Sequence, residues 1–111
     1  MIKLKRGDVV YSLPHGDRLG GGGYPVVIMS DGDLSFNRRV NAVQLSLFPR
    51  SLLPTDVVVE ATGTPSVARC GVIQSLPVEW IGDYIGECTE EELADISNAV
   101  AHALGLNKYG Y

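Results

Sequence analysis

The chain has 111 residues, of which 45% are hydrophobic and 20% are charged, and its formal net charge at pH 7 is −4. This length suits one domain built around one core, and the charge argues against indiscriminate binding to nucleic acid. The sequence has no apolar stretch near the ~18 residues of a membrane helix and no apolar region typical of a secretory signal. We expect a single domain, 1–111, that lies in the cytoplasm and makes no membrane contact.

The charge is unevenly distributed along the chain. Residues 1–70 contain eight Lys or Arg and six Asp or Glu, a balance of +2, whereas residues 71–111 contain one and seven, a balance of −6. A polyanionic ligand would be met by basic residues of the first part if the fold gathered them on one face. Scattered solubilising charges are the alternative.

Short strands dominate the first three quarters of the chain. Apolar, β-branched runs bounded by Gly, Pro, Asp and Asn indicate strands. The predicted strands are Asp8 to Leu13, Pro25 to Met29, Val40 to Leu47, Thr55 to Glu60, Val67 to Leu76 and Tyr84 to Cys88.

Four consecutive glycines, Gly20 to Gly23, lie between the first two predicted strands. A phosphate-binding loop would require a strand before the glycines and a helix after them. Here the β-branched run "YPVVIM" follows, so we expect a flexible lid or a plain surface connection.

The clearest helix signal comes last. Thr89 followed by Glu92 forms a capping box, and the apolar residues recur at three- and four-residue steps. Gly105 suits a glycine stop. The sequence therefore predicts a helix over about Glu90 to Leu104, with an apolar stripe formed by Leu93, Ile96, Val100, Ala103 and Leu104.

Cys70 and Cys88 are the two cysteines of the chain. They are too few for a disulfide framework or a zinc site, so we expect buried free thiols and no bound metal.

The ordered motifs resemble the MazF/PemK toxins of bacterial type II toxin-antitoxin systems. "RGDVVYSL" looks like that family's first strand, "YPVVIMS" with the following "FN" like its second strand and turn, and "AVQLS" like its third. "IGDYIGECTEEELADISNAVAHALGL" is similar to the family's last strand and C-terminal helix.

This resemblance implies a mainly β fold with helices, an SH3-like β-barrel of the CcdB/PemK type with a C-terminal α-helix. It further implies a homodimeric endoribonuclease that cuts single-stranded RNA without a metal or other cofactor. An acidic, MazE-like antitoxin would be its partner, and DNA would be reached only through that antitoxin. The implied reaction is attack by the RNA 2′-hydroxyl on the adjacent phosphate, which needs a base, an acid and a group that stabilises charge.

The family's site residues match this sequence in part. One branch has an Arg immediately before the Pro of the second strand, where Tyr24 stands here, and a Thr at the end of the third strand, which Ser46 matches as a smaller hydroxyl. Tyr24 would donate a hydrogen bond to a phosphate, stack on an unpaired base, or merely pack beside the loop.

The PemK-like branch supplies two further candidates. Its Arg-Cys-Asp motif of the fifth strand corresponds to "RCG" here, which keeps Arg69 and replaces the acid with Gly71. Arg69 also interrupts an apolar strand, so it faces solvent, a partner or a substrate. That branch has a loop histidine before the second strand, and His15 lies in the same loop at a different distance from Pro25.

The expected catalytic residues are thus Arg69, Ser46 and His15. The expected RNA-binding residues are Arg18, Tyr24, Arg38 and Arg39, with Arg18 supplying the charge lost at Tyr24. Two alternatives stay open: a CcdB-like DNA gyrase poison, favoured by the missing Arg and by the "KYGY" ending, and a catalytically inactive toxin homologue that binds an antitoxin.

Overall fold

The structure is a computed structural model, and it describes residues 4–13, 23–30, 38–47 and 52–106. The strands are β1 (Asp8–Ser12), β2 (Tyr24–Ile28), β3 (Arg39–Ser46), β4 (Asp56–Val59), β5 (Ser66–Pro77) and β6 (Ile81–Glu87). A 3-10 turn, Val78–Trp80, precedes β6, and the helix α1 spans Glu90–Ala103. Each predicted element exists, and the largest difference is that β6 begins at Ile81 rather than at Tyr84.

The six strands form one antiparallel sheet in the order β4-β5-β3-β2-β1-β6. The sheet is not closed by hydrogen bonds, since β4 and β6 stand at its two ends. The sheet nevertheless curls, and β6 lies close to the segment that follows β4. This proximity is shown by Gly86, where an added Cβ would lie 2.7 Å from the carbonyl oxygen of Ala61. The mainly β architecture with a C-terminal helix is confirmed, and the barrel is open rather than sealed.

A bulge bends β5 in its middle. Val43 pairs with Ile73 and Leu45 with Ala68, so an advance of two residues on β3 corresponds to five on β5. The three extra residues of β5 leave the stretch from Arg69 to Val72 opposite Gln44 alone. Bulges bend a strand and redirect side chains, and they are frequent beside active sites.

Both faces of the central strands are buried. Val9, Val27 and Val43 belong to one core cluster, whereas the neighbouring Val10 and Val26 belong to another. Strands buried on both faces read as continuous apolar runs, which explains "PVVIM" in β2. The first cluster is covered by α1, and the second by partly buried residues that include Leu4, Trp80 and Ile81.

The helix begins at the predicted residue, but the last two residues of its predicted apolar stripe do not pack against the sheet. Glu92 donates its backbone N–H to Thr89 Oγ1 at 3.1 Å and accepts the Thr89 N–H at 2.9 Å, completing the capping box. Ile96 is fully buried, and Gly105 has the positive φ of 74° expected of a glycine stop. Ala103 and Leu104 are exposed because α1 packs on β4 and β5 through its earlier turns, where Ala99 and Val100 contact the core.

Within the described ranges, no helix is both long enough and apolar enough to cross a membrane.

Candidate functional site

An open cleft of about 370 Å³ lies where β2 begins and β3 ends. The antiparallel register, with Val26 opposite Gln44, brings the first residue of β2 next to the last residue of β3. Tyr24 and Ser46, two of the candidates from the sequence, therefore line the same cleft. Its full lining is Tyr11, Gly23, Tyr24, Pro25, Gln44, Leu45, Ser46 and Leu47.

The hydroxyl of Tyr24 is engaged within the protein. It donates to Gln74 Oε1 at 2.7 Å, and Gln74 Nε2 donates in turn to Gln44 Oε1 at 3.3 Å. This Tyr24–Gln74–Gln44 chain joins β2, β5 and β3. The tyrosine is half-buried and packs against the second core cluster, so the ring and the hydroxyl are both fixed.

Arg69 lies in the bulge of β5 and forms an ion pair with Asp56, the residue opposite it on β4. The Asp56 side chain is 1% exposed and the Arg69 side chain 22%. Asp56 Oδ2 also accepts the backbone N–H of Leu53 at 2.7 Å. The charge of Arg69 in this apolar strand is thus explained by a buried carboxylate partner on the neighbouring strand, while part of the side chain stays accessible.

The same bulge contains the departure from the Arg-Cys-Asp motif. A Cβ at Gly71 would lie 3.4 Å from Thr55 Oγ1, so a side chain added at this position would contact the hydroxyl of the residue that precedes β4. Cys70 is buried, and this burial, together with the negative charge of Asp56, raises the pKa of its thiol to about 11. Such a thiol is protonated near neutral pH and is a poor nucleophile.

The structure does not bring Arg38 and Arg39 into the cleft. Arg39 begins β3 and Ser46 ends it, a separation of roughly 20 Å at the usual rise per strand residue. Arg38 pairs with Glu79 at 3.3 Å, and Arg39 donates to the hydroxyl and the carbonyl of Ser75, each at 2.9 Å. An RNA strand reaching from the cleft to these arginines would have to run along the length of β3.

His15, Arg18 and three of the four glycines lie outside the described residues, as do Phe36, Asn37 and the "KYGY" ending. The predictions made for them stay predictions. Cys70 and Cys88 are free thiols, the first buried and the second half-buried. Among the described residues, no group of three or more His, Cys, Asp or Glu is placed to hold a metal ion.

A second groove, of about 350 Å³, lies between the N-terminal residues and β6. Its lining is mostly apolar and includes Leu4, Val10, Val78 and Ile81, with the Arg38–Glu79 pair at its rim.

Sequence reasoning missed Gln44, Gln74 and Asp56. Each is an ordinary polar residue of a strand, and its contacts depend on how the strands pair. An acidic residue opening β4 could have been matched with Arg69 in β5, because oppositely charged residues often face each other across antiparallel strands.

Comparison with known families places these features in a class. The model of the PemK-like, MazF-like toxins of type II toxin-antitoxin systems matches residues 5–104. The chain therefore belongs to this family of toxins. No curated protein sequence matches the chain.

Solved structures agree with this assignment. A mycobacterial endoribonuclease in complex with its cognate antitoxin is 30% identical to the chain, covers 93% of it and 96% of its own length, and superposes with a TM-score of 0.77. A second mycobacterial endoribonuclease is 27% identical over 95% of this chain and 94% of its own, with a TM-score of 0.76. MazF from Deinococcus radiodurans, at 18% identity, shares the fold, with a TM-score of 0.78 over 95% of this chain and 99% of its own.

Proposed function

We propose that this chain is an endoribonuclease toxin that cleaves single-stranded RNA and thereby inhibits translation and growth. The observation that carries the proposal is the 30% identity to a mycobacterial endoribonuclease, spread over 93% of the chain. The cleft supports it, because Tyr24 and Ser46 line one open site at the positions where a branch of the family has Arg and Thr.

The proposed reaction is attack of an RNA 2′-oxygen on the adjacent phosphorus. The bond from phosphorus to the departing 5′-oxygen breaks, and the products are a 2′,3′-cyclic phosphate and a 5′-hydroxyl. The 2′-hydroxyl loses a proton to a base, and the 5′-oxygen gains one from an acid. No metal enters this scheme.

Four side chains have roles in this proposal. Arg69 stabilises the charge that develops on the phosphate, and Ser46 donates a hydrogen bond that orients a phosphate oxygen. His15 exchanges the proton, since an imidazole with an ordinary pKa of ~6.5 changes its charge near neutral pH. Arg18, from the same loop, adds positive charge toward the RNA.

Tyr24 does not replace the arginine chemically. Its hydroxyl proton is committed to Gln74 at 2.7 Å, and a tyrosine side chain carries no positive charge to offer a phosphate. We therefore assign Tyr24 to the wall of the cleft, where its ring offers a surface for an unpaired base, a contact worth about 1–3 kcal/mol.

The partners follow from the same proposal. The relative in complex with its cognate antitoxin supports an acidic, MazE-like partner for this chain, which the +2 balance of residues 1–70 would attract. The protein would act as a homodimer in the cytoplasm and would reach DNA only through the antitoxin.

The test is RNA cleavage in the presence of EDTA, run beside a gyrase supercoiling assay. We expect the purified protein to cut unstructured RNA, to spare the same sequence in a duplex, and to leave gyrase active. Gyrase inhibition without RNA cleavage would replace the proposal with a CcdB-like poison, the alternative that the exchange of Arg for Tyr24 favours. Neither activity, with binding of an acidic antitoxin retained, would indicate an inactive homologue.

A further inference from the structure

The hydrogen bonds that join Tyr24, Gln74 and Gln44 fix which way the Gln44 carboxamide is oriented beside the cleft. Tyr24 has one hydroxyl proton and donates it to Gln74 Oε1 at 2.7 Å. The Gln74 amide nitrogen therefore faces the other way, where it donates to Gln44 Oε1 at 3.3 Å. With its oxygen held by Gln74, Gln44 has its own N–H₂ group left for the cleft that it lines.

Gln44 lies opposite the bulge of β5 and faces away from the helix-covered core. It is the β3 residue between Val43 and Leu45, opposite the bulge of β5. Its neighbours Val43 and Leu45 point into the core covered by α1, so Gln44 points to the other face of the sheet, together with Val26 across from it on β2. The cleft lining therefore contains an oriented donor together with the Tyr24 ring and the Ser46 hydroxyl.

These groups match the chemistry by which proteins read single-stranded RNA. An unpaired base stacks on an aromatic ring while its edge forms hydrogen bonds with polar side chains. Carboxamides of Gln and Asn read base edges because they carry a donor and an acceptor in fixed positions. An amide that is free to rotate would accept either kind of edge, whereas an amide held by a neighbour discriminates.

We propose that Gln44 reads the edge of one unpaired RNA base in the cleft, and that Gln74 and Tyr24 are positioning residues that hold its N–H₂ toward that base. This inference rests on the proposed function for the substrate class. The base it selects presents an acceptor, such as the carbonyl of uracil or guanine. Adenine and cytosine present an amino group at the corresponding edge.

Two substitutions turn the hydrogen-bond donor that residue 44 presents to the cleft into an acceptor, without removing the side chain. Gln44→Glu keeps an oxygen for the Gln74 amide and presents a second oxygen to the cleft. Gln74→Glu still accepts from Tyr24 but offers an oxygen to Gln44, whose amide then has to rotate and present its own oxygen. Both variants replace a donor in the cleft with an acceptor, one directly and one through the positioning residue.

Asn41→Asp is the matched control for the added charge. Asn41 is exposed on β3, three residues before Gln44, and does not line the cleft. Tyr24→Phe is the second comparison, since it removes the hydroxyl that fixes Gln74 and leaves the ring in place.

The readouts are base preference in cleavage and base preference in binding. Cleavage of a randomised single-stranded RNA pool in EDTA, followed by sequencing of the cut ends, gives the preference at each position near the cut. Fluorescence anisotropy with labelled single-stranded 2′-deoxy oligonucleotides, containing only uracil, cytosine or adenine, gives the preference without any cleavage.

We expect the parent to favour uracil over adenine and cytosine, and both Glu variants to shift toward adenine or cytosine by about tenfold or more in relative preference, equivalent to ~1.4 kcal/mol. Tyr24→Phe should flatten the preference, and Asn41→Asp, on the other face of β3, should leave the base preference unchanged. An unchanged preference in folded Gln44→Glu, or a loss that is uniform over all bases, would overturn the inference. If Gln74→Glu does not fold, Gln44→Glu decides. A parent protein that binds uracil selectively but cuts no RNA would contradict the proposed function and still support this inference.

Discussion

The helix-covered side of the sheet and the cleft at the start of β2 are held together in different ways. On the helix side, Ile96 is buried among valines, and Glu92 ties the first turn of α1 to the sheet by accepting the Glu60 N–H at 2.9 Å. In the cleft, hydrogen bonds among polar side chains of three strands fix the geometry. Apolar packing therefore holds the first region, and side-chain hydrogen bonds hold the second, so substitutions in the two should have separable effects.

The largest expected effect is on stability and lies under the helix. Ile96→Ala removes a fully buried side chain from the first core cluster and should lower the free energy of unfolding by about 2–5 kcal/mol. Urea unfolding followed by circular dichroism measures this loss. Leu104→Ala, at the C-cap of the same helix where the residue is 57% exposed, should cost less than about 0.5 kcal/mol. Equal losses for the two would show that α1 does not pack as described.

Arg69 pairs with the buried Asp56 carboxylate, and this structural role can be separated by experiment from its proposed role in cleavage. Arg69→Ala should reduce RNA cleavage by about 10²-fold or more, the scale of losing one charge-stabilising group. It should also destabilise the fold, because it leaves the Asp56 carboxylate, which is 1% exposed, without its cation. Ser46→Ala should cost less cleavage than Arg69→Ala.

The double variant Arg69→Ala with Asp56→Asn separates the two roles. Removing the buried charge should restore stability while cleavage stays low. Cleavage near the parent's rate in the double variant would show that Arg69 acts only as the partner of Asp56.

A smaller effect is expected at the start of α1. Glu92→Ala removes the acceptor of the Thr89 and Glu60 N–H groups and should cost about 1–2 kcal/mol in unfolding free energy. Glu91→Ala, an exposed residue of the same first turn, should cost only a few tenths, roughly 0.3 kcal/mol. The specific cleavage activity of the folded fraction should not change in either variant, and a selective loss in Glu92→Ala would link the helix to the cleft.

The smallest effect should appear only at high pH. Burial raises the pKa of Cys70 to about 11 and that of Cys88 to about 12, above the ordinary value of 9.0. The unfolded chain therefore loses these protons first, so the free energy of unfolding should fall as the pH rises above about 9. Urea unfolding at several pH values checks this, and the fall should be shallower in Cys70→Ala and Cys88→Ala. An equal slope in both variants and the parent would contradict the buried thiols.

Most of the fold was accessible from the sequence because its signals are local. The Thr89 and Glu92 capping box, the apolar run of β2 and the glycine after α1 each involve a few neighbouring residues. The open curl of the sheet, by contrast, brings Gly86 close to Ala61, and the exposure of Ala103 and Leu104 reflects how α1 packs on β4 and β5. Neither follows from periodicity.

The candidate site was predicted only in part for the same reason. Tyr24 and Ser46 were found through the resemblance, and the structure places both in one cleft. The partners Gln74 and Asp56 are 50 residues from Tyr24 and 13 from Arg69, respectively. Polar residues of a strand carry no signal of their cross-strand contacts, since those contacts depend on the register with which the strands pair.

The proposed chemistry is tested most directly by removing one atom from the substrate. A single-stranded RNA that the protein cuts at one mapped site is compared with the same strand in which the nucleotide immediately 5′ of the cut lacks its 2′-hydroxyl, both in EDTA. Because that hydroxyl is the proposed nucleophile, we expect the parent RNA to be cut to a 2′,3′-cyclic phosphate and a 5′-hydroxyl, and the 2′-deoxy strand to remain intact at that site. Cleavage of the 2′-deoxy strand at the same position and a comparable rate would contradict the account.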